Sequence, residues 1–241
     1  AKAFRGNLEA QGVWDGTIPP SLLSFQGNLM HFAVEPLMKA VRSSSLRLTG
    51  TGEMQWSVEG SLPSSGHPQL HGPVRVKIQN GQLVGFDVVQ AVEDALQLSG
   101  PMGKSGRATE FSLIDVKADL KETELIICQF TVDAPDFTMG GEGKIGFDQA
   151  VKFQGNLAVS PAIGDQIIRR FPLAKVVRQN GQVVLPFDVQ GTINEPVLQL
   201  NTKSLGAQLK KDMERRLEKV LQGDEQELQQ LLQDGADVLK Q

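Results

Sequence analysis

The chain has 241 residues and a formal net charge of -4, with 40% hydrophobic and 22% charged residues. This length can bury a substantial core in one large domain or two small ones, and the composition is that of a globular protein. The negative charge argues against nucleic-acid binding, because proteins of that class usually carry a basic surface. The only cysteine, Cys128, excludes an intramolecular disulfide, and its apolar neighbours predict a small buried side chain. No stretch approaches the roughly 20 apolar residues that a transmembrane helix needs.

The first 60 residues have the pattern of β-strands, and one short motif recurs in them. FRGNL stands at residues 4–8, FQGNL at residues 25–29, and FQGNL again at residues 153–157. In an extended strand the Phe, Gly and Leu of this motif point to one face. A glycine at the middle position leaves room for a bulky side chain on the neighbouring strand, or marks a bulge. We therefore expect a repeated hairpin pattern with large side chains across from these glycines.

Residues 61–73, SLPSSGHPQLHGP, predict a loop and a possible domain boundary. The composition is the same before and after this stretch. That continuity favours a single sheet interrupted by a loop.

The next predicted strand carries its apolar residues at alternating positions, namely Val74, Val76 and Ile78. A QNGQ motif ends this strand and favours a two-residue hairpin turn. The same four letters recur at residues 179–182. After the first copy the apolar spacing changes to threes and fours, which predicts a helix over Phe86–Leu98.

Residues 108–159 contain four or five short apolar segments, and they have the clearest pattern in the chain. Polar turns interrupt the segments at Lys121–Glu124, Asp133–Asp136 and Asp148–Gln149. Alternation of period two, broken at roughly ten-residue spacing, is typical of an antiparallel β meander.

Three elements follow this meander pattern. Its last strand has three apolar residues of one parity, Phe153, Leu157 and Val159. A short helix is predicted over Pro161–Phe171, because proline is favoured in the first turn and apolar residues recur every four positions. A further strand carries four apolar residues at alternating positions, Val183, Leu185, Phe187 and Val189.

The pattern becomes helical near Ser204, a plausible N-cap. The first predicted helix has an apolar stripe, whose members are Leu205, Leu209, Met213, Leu217, Val220 and Leu221. A second helix follows over Leu228–Leu239. Such amphipathic helices cap a sheet, lie on an anionic membrane surface or insert into a partner's groove. The narrow stripe without aromatic residues favours capping.

Candidate catalytic and metal-binding motifs are weak. The segment Gly103–Ser105 lacks the upstream glycine of a phosphate-binding loop. His67 and His71 are four residues apart, but neighbouring prolines argue against the helix that would bring them together. Asp133 and Asp136 are first of all turn residues. We therefore predict a non-enzymatic protein without a cofactor or a metal site.

Several strand-and-turn motifs resemble the C-terminal region of the AsmA-like family. These motifs are Val76–Asp87, Ala108–Phe111, Asp133–Phe137, Gly141–Phe147 and Val189–Pro196. The resemblance is best over residues 74–200. It implies a periplasmic protein of a diderm bacterium, tethered to the inner membrane by an N-terminal helix that is absent from this chain. It also implies a role in lipid transport and outer-membrane homeostasis.

The expected architecture is mainly β with flanking helices: a curved, twisted antiparallel sheet forming a groove over residues 1–202, two short inserted helices, and C-terminal amphipathic helices over residues 203–241. The resemblance implies that phospholipid acyl chains bind along the apolar strand positions. The candidate groove residues are Val74, Val76, Ile78, Phe153, Leu157, Val159, Val183, Leu185, Phe187 and Val189.

A different function is compatible with the same sequence. The inserted helices could close the apolar face into an ordinary core. The protein would then be a structural or scaffolding domain of the periplasm, and its C-terminal helices would bind an envelope protein. An apolar stripe such as Leu205 to Leu221 would also suit a membrane surface.

Overall fold

The computed structural model describes residues 1–17, 20–40, 47–63, 68–85, 87, 88, 90, 91, 108–170, 177–222, 226, 228, 229 and 232. The strands are β1 (Lys2–Ala3), β2 (Gly6–Asp15), β3 (Ser21–Ala33), β4 (Arg47–Leu48), β5 (Thr51–Leu62), β6 (Gln69–Val84), β7 (Thr109–Lys121), β8 (Glu124–Asp133), β9 (Phe137–Gly146), β10 (Ala150–Val159), β11 (Arg178–Gln179), β12 (Gln182–Thr192) and β13 (Pro196–Leu200). The helices are α1 (Val34–Ala40), α2 (Pro161–Arg170) and α3 (Thr202–Leu221).

All of these strands belong to one antiparallel sheet. The strand order is β1-β2-β3-β5-β6-β7-β8-β9-β10-β12-β11, with β13 also on β12 and β4 on β6. Most neighbours in space are therefore neighbours in sequence, as in a meander. The sheet is open and curved rather than closed, and the predicted fold class is confirmed.

The elements predicted most clearly are those of the central meander. Strands β7 to β10 form the four hairpin-connected strands expected over residues 108–159, with turns at the predicted polar segments. Helix α2 begins at the predicted Pro161. Helix α3 begins two residues before the predicted cap Ser204. The predicted helices over Phe86–Leu98 and Leu228–Leu239 lie mostly outside the described residues.

The two QNGQ motifs adopt different structures. Asn180 and Gly181, with φ of 50° and 85°, form the predicted turn between β11 and β12. Asn80 has a similar φ of 51°, but the chain continues in β6. The hairpin predicted at Asn80 is therefore wrong. Strand β7 pairs with β6 both before and after Asn80, β5 pairs with it as far as Gln79, and β4 pairs with Leu83 and Val84, so the chain continues as one strand through the asparagine.

Helix α1 is absent from the sequence-based prediction, which gave the first 60 residues the pattern of β-strands. Strand β3 ends after an irregularity near His31, whose φ is 54°. An ion pair of 2.9 Å between Glu35 and Lys39, one turn apart, supports the helix that follows. The side chain of Val34 is buried beneath it.

Cys128 is exposed, and the prediction of a buried thiol is wrong. A bulge in β8 shifts the register between Ile127 and Phe130 and turns Cys128 away from the apolar neighbours. Its Sγ lies 3.3 Å from a carboxylate oxygen of Asp119. That hydrogen bond, with some desolvation, raises the pKa of the Cys128 thiol.

The proline-rich stretch at residues 61–73 lies between paired strands. Ser61 is opposite Gln69, and Glu59 is opposite His71, so β5 and β6 form one long hairpin. The sheet therefore continues on both sides of the predicted loop, of which residues 64–67 lie outside the described part of the chain.

Candidate functional site

The strand register places apolar residues on one face of the sheet over its whole width. One row of directly opposed residues crosses ten strands, from β2 to β13. The row consists of Leu8, Leu29, Met54, Val76, Val116, Phe130, Gly141, Gly155, Phe187 and Leu200. With strands about 4.8 Å apart, this row extends for roughly 43 Å. We call this side of the sheet the apolar face.

The opposite face, called the polar face below, carries charged and amide side chains. A parallel row on it consists of Glu9, Asn28, Gln55, Arg75, Lys117 and Gln129. Arg75 bonds to Asp115 at 3.0 Å, and Lys117 donates to Gln129 at 3.1 Å. These side chains are largely exposed. The sheet therefore has two chemically different sides, as expected for an antiparallel sheet with one wet face.

All ten candidate groove residues lie on the apolar face, but their burial differs. Six belong to the two hydrophobic cores and are at most 7% exposed: Ile78, Leu157, Val159, Val183, Leu185 and Phe187. Four are partly exposed: Val74, Val76, Phe153 and Val189. The difference follows their position along the strands.

The buried candidates lie near helices α1 and α2. Ile167 of α2, together with Val88 and Val177, belongs to the core around Leu157 and Val159. At the other end of the sheet, Val34 of α1 belongs to a second core, which also contains Leu29, Phe32, Ile78 and Phe111. Both cores lie at the same ends of their strands, which include the end of β10 and the start of β12. We call the strand ends that carry these two cores the covered half of the apolar face.

The other ends of the same strands form what we call the open half. Its partly or largely exposed members are Trp14, Leu23, Phe25, Val58, Leu62, Val74, Leu120, Leu125, Ile145, Phe153 and Val189. Trp14 is 70% exposed and Phe25 42%. Three residues there are exceptions and are buried: Ala118, Ile127 and Val151. The described helices approach β4 and β12 most closely. The greater exposure of the side chains named above shows that the open half is covered less than the other half.

Glycines and aromatic residues face each other across the strands in a regular way. Seven pairs are directly opposed: Gly12–Phe25, Gly27–Trp56, Gly52–Phe32, Gly81–Phe111, Gly141–Phe130, Gly143–Phe153 and Gly155–Phe187. A Cβ on Gly27 would lie 2.6 Å from Cζ2 of Trp56, so the ring occupies the space of the missing side chain. The bulky cross-strand neighbours predicted for the FQGNL glycines are thus confirmed. Such pairs help to pin strand register.

Two of these aromatic rings meet across a pair of glycines. Gly141 and Gly155 are opposite each other on β9 and β10, and Phe130 and Phe187 flank them on β8 and β12. The two ring centroids are 6.4 Å apart at an interplanar angle of 60°. Edge-to-face contacts of this kind stabilise by about 0.5–1.5 kcal/mol.

The described part of the C-terminal stripe is exposed. Leu217 is 51% exposed and Leu221 86%, while Val220 is partly exposed. The side chains of Leu205, Leu209 and Met213 lie outside the described residues. The sequence favoured a role for this helix in capping the sheet. The leucines at the end of α3 do not perform that role, because they are exposed.

The titratable groups of the described residues are dispersed over the surface. No group of three or more His, Cys, Asp or Glu side chains among them could hold a metal ion. His71 lies 3.3 Å from Glu59 on the polar face, and His67 is outside the described residues. Asp133 ends β8, and Asp136 is exposed in the turn that follows. Among the described residues, no helix has the length and apolar character that crossing a membrane requires.

A shallow concavity of about 590 Å³ lies against strands β8, β9, β10 and β12. Most of its lining side chains are on the polar face, including Glu142, Lys144, Lys152, Gln154 and Gln190. Gln154 donates to Glu142 at 2.9 Å. Lys144 and Lys152 are directly opposite each other there, and the carboxylates of Glu142 and Asp188 line the same concavity. The concavity therefore belongs mainly to the polar face.

No protein-family model, curated protein or solved structure matches this chain.

Proposed function

We propose that this chain is a non-enzymatic AsmA-like module that binds lipid acyl chains on the open half of its apolar face. In this proposal it works in the periplasm of a diderm bacterium and takes part in phospholipid transport between the inner and outer membranes. The observation that carries the proposal is the open half of the apolar face, whose side chains from Trp14 on β2 to Val189 on β12 are partly or largely exposed.

An exposed apolar surface of this extent has an energetic cost that a ligand can remove. Monomeric soluble proteins rarely expose contiguous apolar patches beyond a few hundred Å² unless the patch binds something. Each acyl methylene that leaves water gains about 0.8 kcal/mol. An acyl chain that covers residues such as Val58, Val74 and Leu120 would bury its own methylenes and the side chains beneath.

The chemistry of the open half suits an acyl chain better than a polar ligand. Its side chains are aliphatic or aromatic, and the indole N–H of Trp14 is the one side-chain hydrogen-bond donor among its named members, so they provide little that would hold a headgroup in one place. Glycines lie beneath two of its rings, Gly12 under Phe25 and Gly143 under Phe153, so no second side chain projects at these positions and the surface across the strands is smoother. A smooth apolar surface allows a chain to slide, as transport requires.

The proposal is tested by measuring lipid that copurifies with the protein from a bacterial host. Val58 and Ser57 are neighbours on β5 and point to opposite faces, so Val58→Asp and Ser57→Asp add the same charge on the two sides. We expect Val58→Asp to reduce bound phospholipid several-fold and Ser57→Asp to leave it unchanged, as quantified by mass spectrometry. Wild-type protein without lipid, or equal loss in both variants, would sink the proposal.

A second function is supported by the exposed leucines of α3. Leu217 and Leu221 form an apolar end on an otherwise charged helix, which suits the groove of a protein partner. The chain would then be a scaffolding domain in outer-membrane assembly. Deletion of residues 204–241 discriminates between the two functions. Loss of a copurifying envelope protein with lipid unchanged supports scaffolding by the tail, whereas loss of lipid assigns the tail to lipid binding.

A further inference from the structure

The open half of the apolar face differs from one side of the sheet to the other. Four of its members lie on β8 to β12 and pack against the core around Leu157 and Val159; these four are Leu125, Ile145, Phe153 and Val189. The other seven members lie on β2 to β7, and within the described part of the chain they pack against neither core. The three buried exceptions of the open half lie on β7, β8 and β10. The open half therefore changes character at β7.

Three phenylalanine rings, called the aromatic cluster below, fill the apolar face between β8 and β12. Phe130 and Phe153 are two strands apart, and their ring centroids lie 5.5 Å from each other in an edge-to-face arrangement. Phe130 and Phe187 are three strands apart, and a flat sheet would separate their backbones by about 14 Å. Their ring centroids are nevertheless only 6.4 Å apart. The rings therefore approach each other over β9 and β10, where Gly141 and Gly155 leave the necessary space.

Phe25 shows how a ring contact looks in the other part of the open half. Its ring also lies across from a glycine, Gly12, and its centroid is 5.6 Å from that of Trp56. However, Phe25 and Trp56 are on adjacent strands, β3 and β5, so this contact bridges no further strand. Phe25 is 42% exposed, whereas Phe130 and Phe187 are 8% and 1% exposed. The face is therefore filled by its own side chains beyond β7 and remains accessible before it.

We propose that the aromatic cluster is the end wall of the acyl-binding surface. An acyl chain on the open half then lies over β5 to β7, against residues such as Val58, Val74 and Leu120, and stops before β8. Over β5 to β7 the acyl chain covers side chains that pack against neither core. Over β8 to β12 it would have to displace rings that already pack against each other. This inference rests on the proposed function and adds which strands the lipid occupies.

Phe153 is the member of the aromatic cluster that lies in the open half. It is partly exposed, whereas Phe130 and Phe187 are buried. A Cβ on Gly143 of β9 would lie 2.5 Å from Cδ1 of Phe153, so this ring occupies the space above that glycine. Ile145 follows Gly143 by two residues on the same face of β9. Removal of the Phe153 ring would therefore open space for an acyl chain next to Ile145, which makes Phe153 the residue that limits how far the chain extends.

The end wall is tested with a photoreactive amino acid at Val74 on β6 or at Ile145 on β9. Each protein is irradiated with phospholipid vesicles, and the attached lipid is quantified by mass spectrometry. Without a further substitution, we expect a lipid adduct at Val74 and little at Ile145. Phe153→Ala should raise the adduct at Ile145 several-fold and keep the adduct at Val74, because the acyl chain then extends to β9. Phe153→Leu keeps an aliphatic side chain in the cluster, so it loses less packing and should give a smaller increase.

Phe25→Ala is the matched control, because it removes an identical ring from the other part of the open half. It should leave the adduct at Ile145 at the wild-type level, with each variant folded by circular dichroism. Equal adducts at Val74 and Ile145 without a further substitution, or no increase at Ile145 in either Phe153 variant, would overturn the end wall and leave the proposed function standing. An equal increase in Phe25→Ala would indicate general loosening and also overturn it. No adduct at Val74 would overturn the proposed function, and the end wall with it.

Discussion

The covered and open halves of the apolar face are built from the same strands by the same alternation, but they are buried to very different extents. Leu185, near α2, is 1% exposed, whereas Trp14 at the open end is 70% exposed. Strand pattern alone therefore does not decide whether an apolar residue belongs to a core. The decisive factor is which ends of the strands the helices cover. In this protein the helices complete a core at one side and leave apolar surface at the other.

The largest expected effect comes from removing the same atoms in each half. Leu185→Ala empties a fully buried site and should lower the free energy of unfolding by about 2–5 kcal/mol. Leu120→Ala removes an identical side chain from a partly exposed site and should cost about 1 kcal/mol or less. Urea unfolding of both variants provides the measurement. Equal losses would show that the two halves do not differ in burial.

The packing of aromatic rings over opposed glycines can be tested by substitution of Gly27. A methyl group there would lie 2.6 Å from Cζ2 of Trp56 and 2.7 Å from the carbonyl oxygen of Glu9. Gly27→Ala should therefore destabilise the protein by about 1–3 kcal/mol, the usual cost of overpacking. Gly206 in α3 has no heavy atom within 4 Å of its Cβ position and is the control. Gly206→Ala should be neutral or stabilising by up to about 1 kcal/mol. Thermal unfolding that ranks the variants in the other order would contradict this packing.

The reactivity of Cys128 shows whether the bulge in β8 turns this side chain toward solvent. The hydrogen bond from the thiol to the carboxylate of Asp119 raises the pKa of the thiol, because it stabilises the protonated form, and desolvation and the negative charge of that carboxylate add to the effect. Alkylation of the folded protein should therefore be slow at pH 7 and accelerate as the pH rises through the raised pKa. Asp119→Asn removes the charge, lowers the thiol pKa and should speed alkylation several-fold at neutral pH. If the native protein reacts only after unfolding, the thiol is buried and the bulge is assigned wrongly.

The smallest expected effect is on the polar face. Lys144 and Glu124 form an ion pair of 2.6 Å, but both side chains are more than 40% exposed. Exposed pairs contribute about 0–1 kcal/mol, since solvent and salt screen them. Glu124→Gln should change the free energy of unfolding by less than about 1 kcal/mol, and less still at high salt. A larger loss in urea unfolding would mean that this face is not freely solvated.

The sequence was most informative where local pattern and tertiary pairing agree. Alternation and polar turns predicted β7 to β10 and their order, and Pro161 predicted the start of α2. The prediction was wrong where pairing overrides local preference. Asn80 has the left-handed conformation that a hairpin needs, but neighbours on both sides hold its strand extended. A single inserted residue in β8 exposes Cys128, and such a bulge has no clear sequence signal.

The candidate site was predicted in one respect only. The alternation of apolar residues in the sequence placed all ten groove candidates on one face, and the strand register of the structure agrees. Alternation could not predict that Leu157 is buried and Phe153 partly exposed, because the two are four residues apart on one strand. Their difference in burial depends on helix α2 and on Val88 and Val177, which are brought in from distant parts of the chain. Burial of this kind is a property of the assembled fold.

The central claim, that acyl chains bind on the open half, is tested most directly by photocrosslinking. A photoreactive amino acid is placed at Val58 on the open half, at Leu185 on the covered half, or at Ser57 on the polar face. Each protein is irradiated with phospholipid vesicles, and the attached lipid is read by mass spectrometry. The account predicts a lipid adduct at Val58 and little at the other two positions. Adducts at Ser57 equal to those at Val58, or none at Val58, would contradict it.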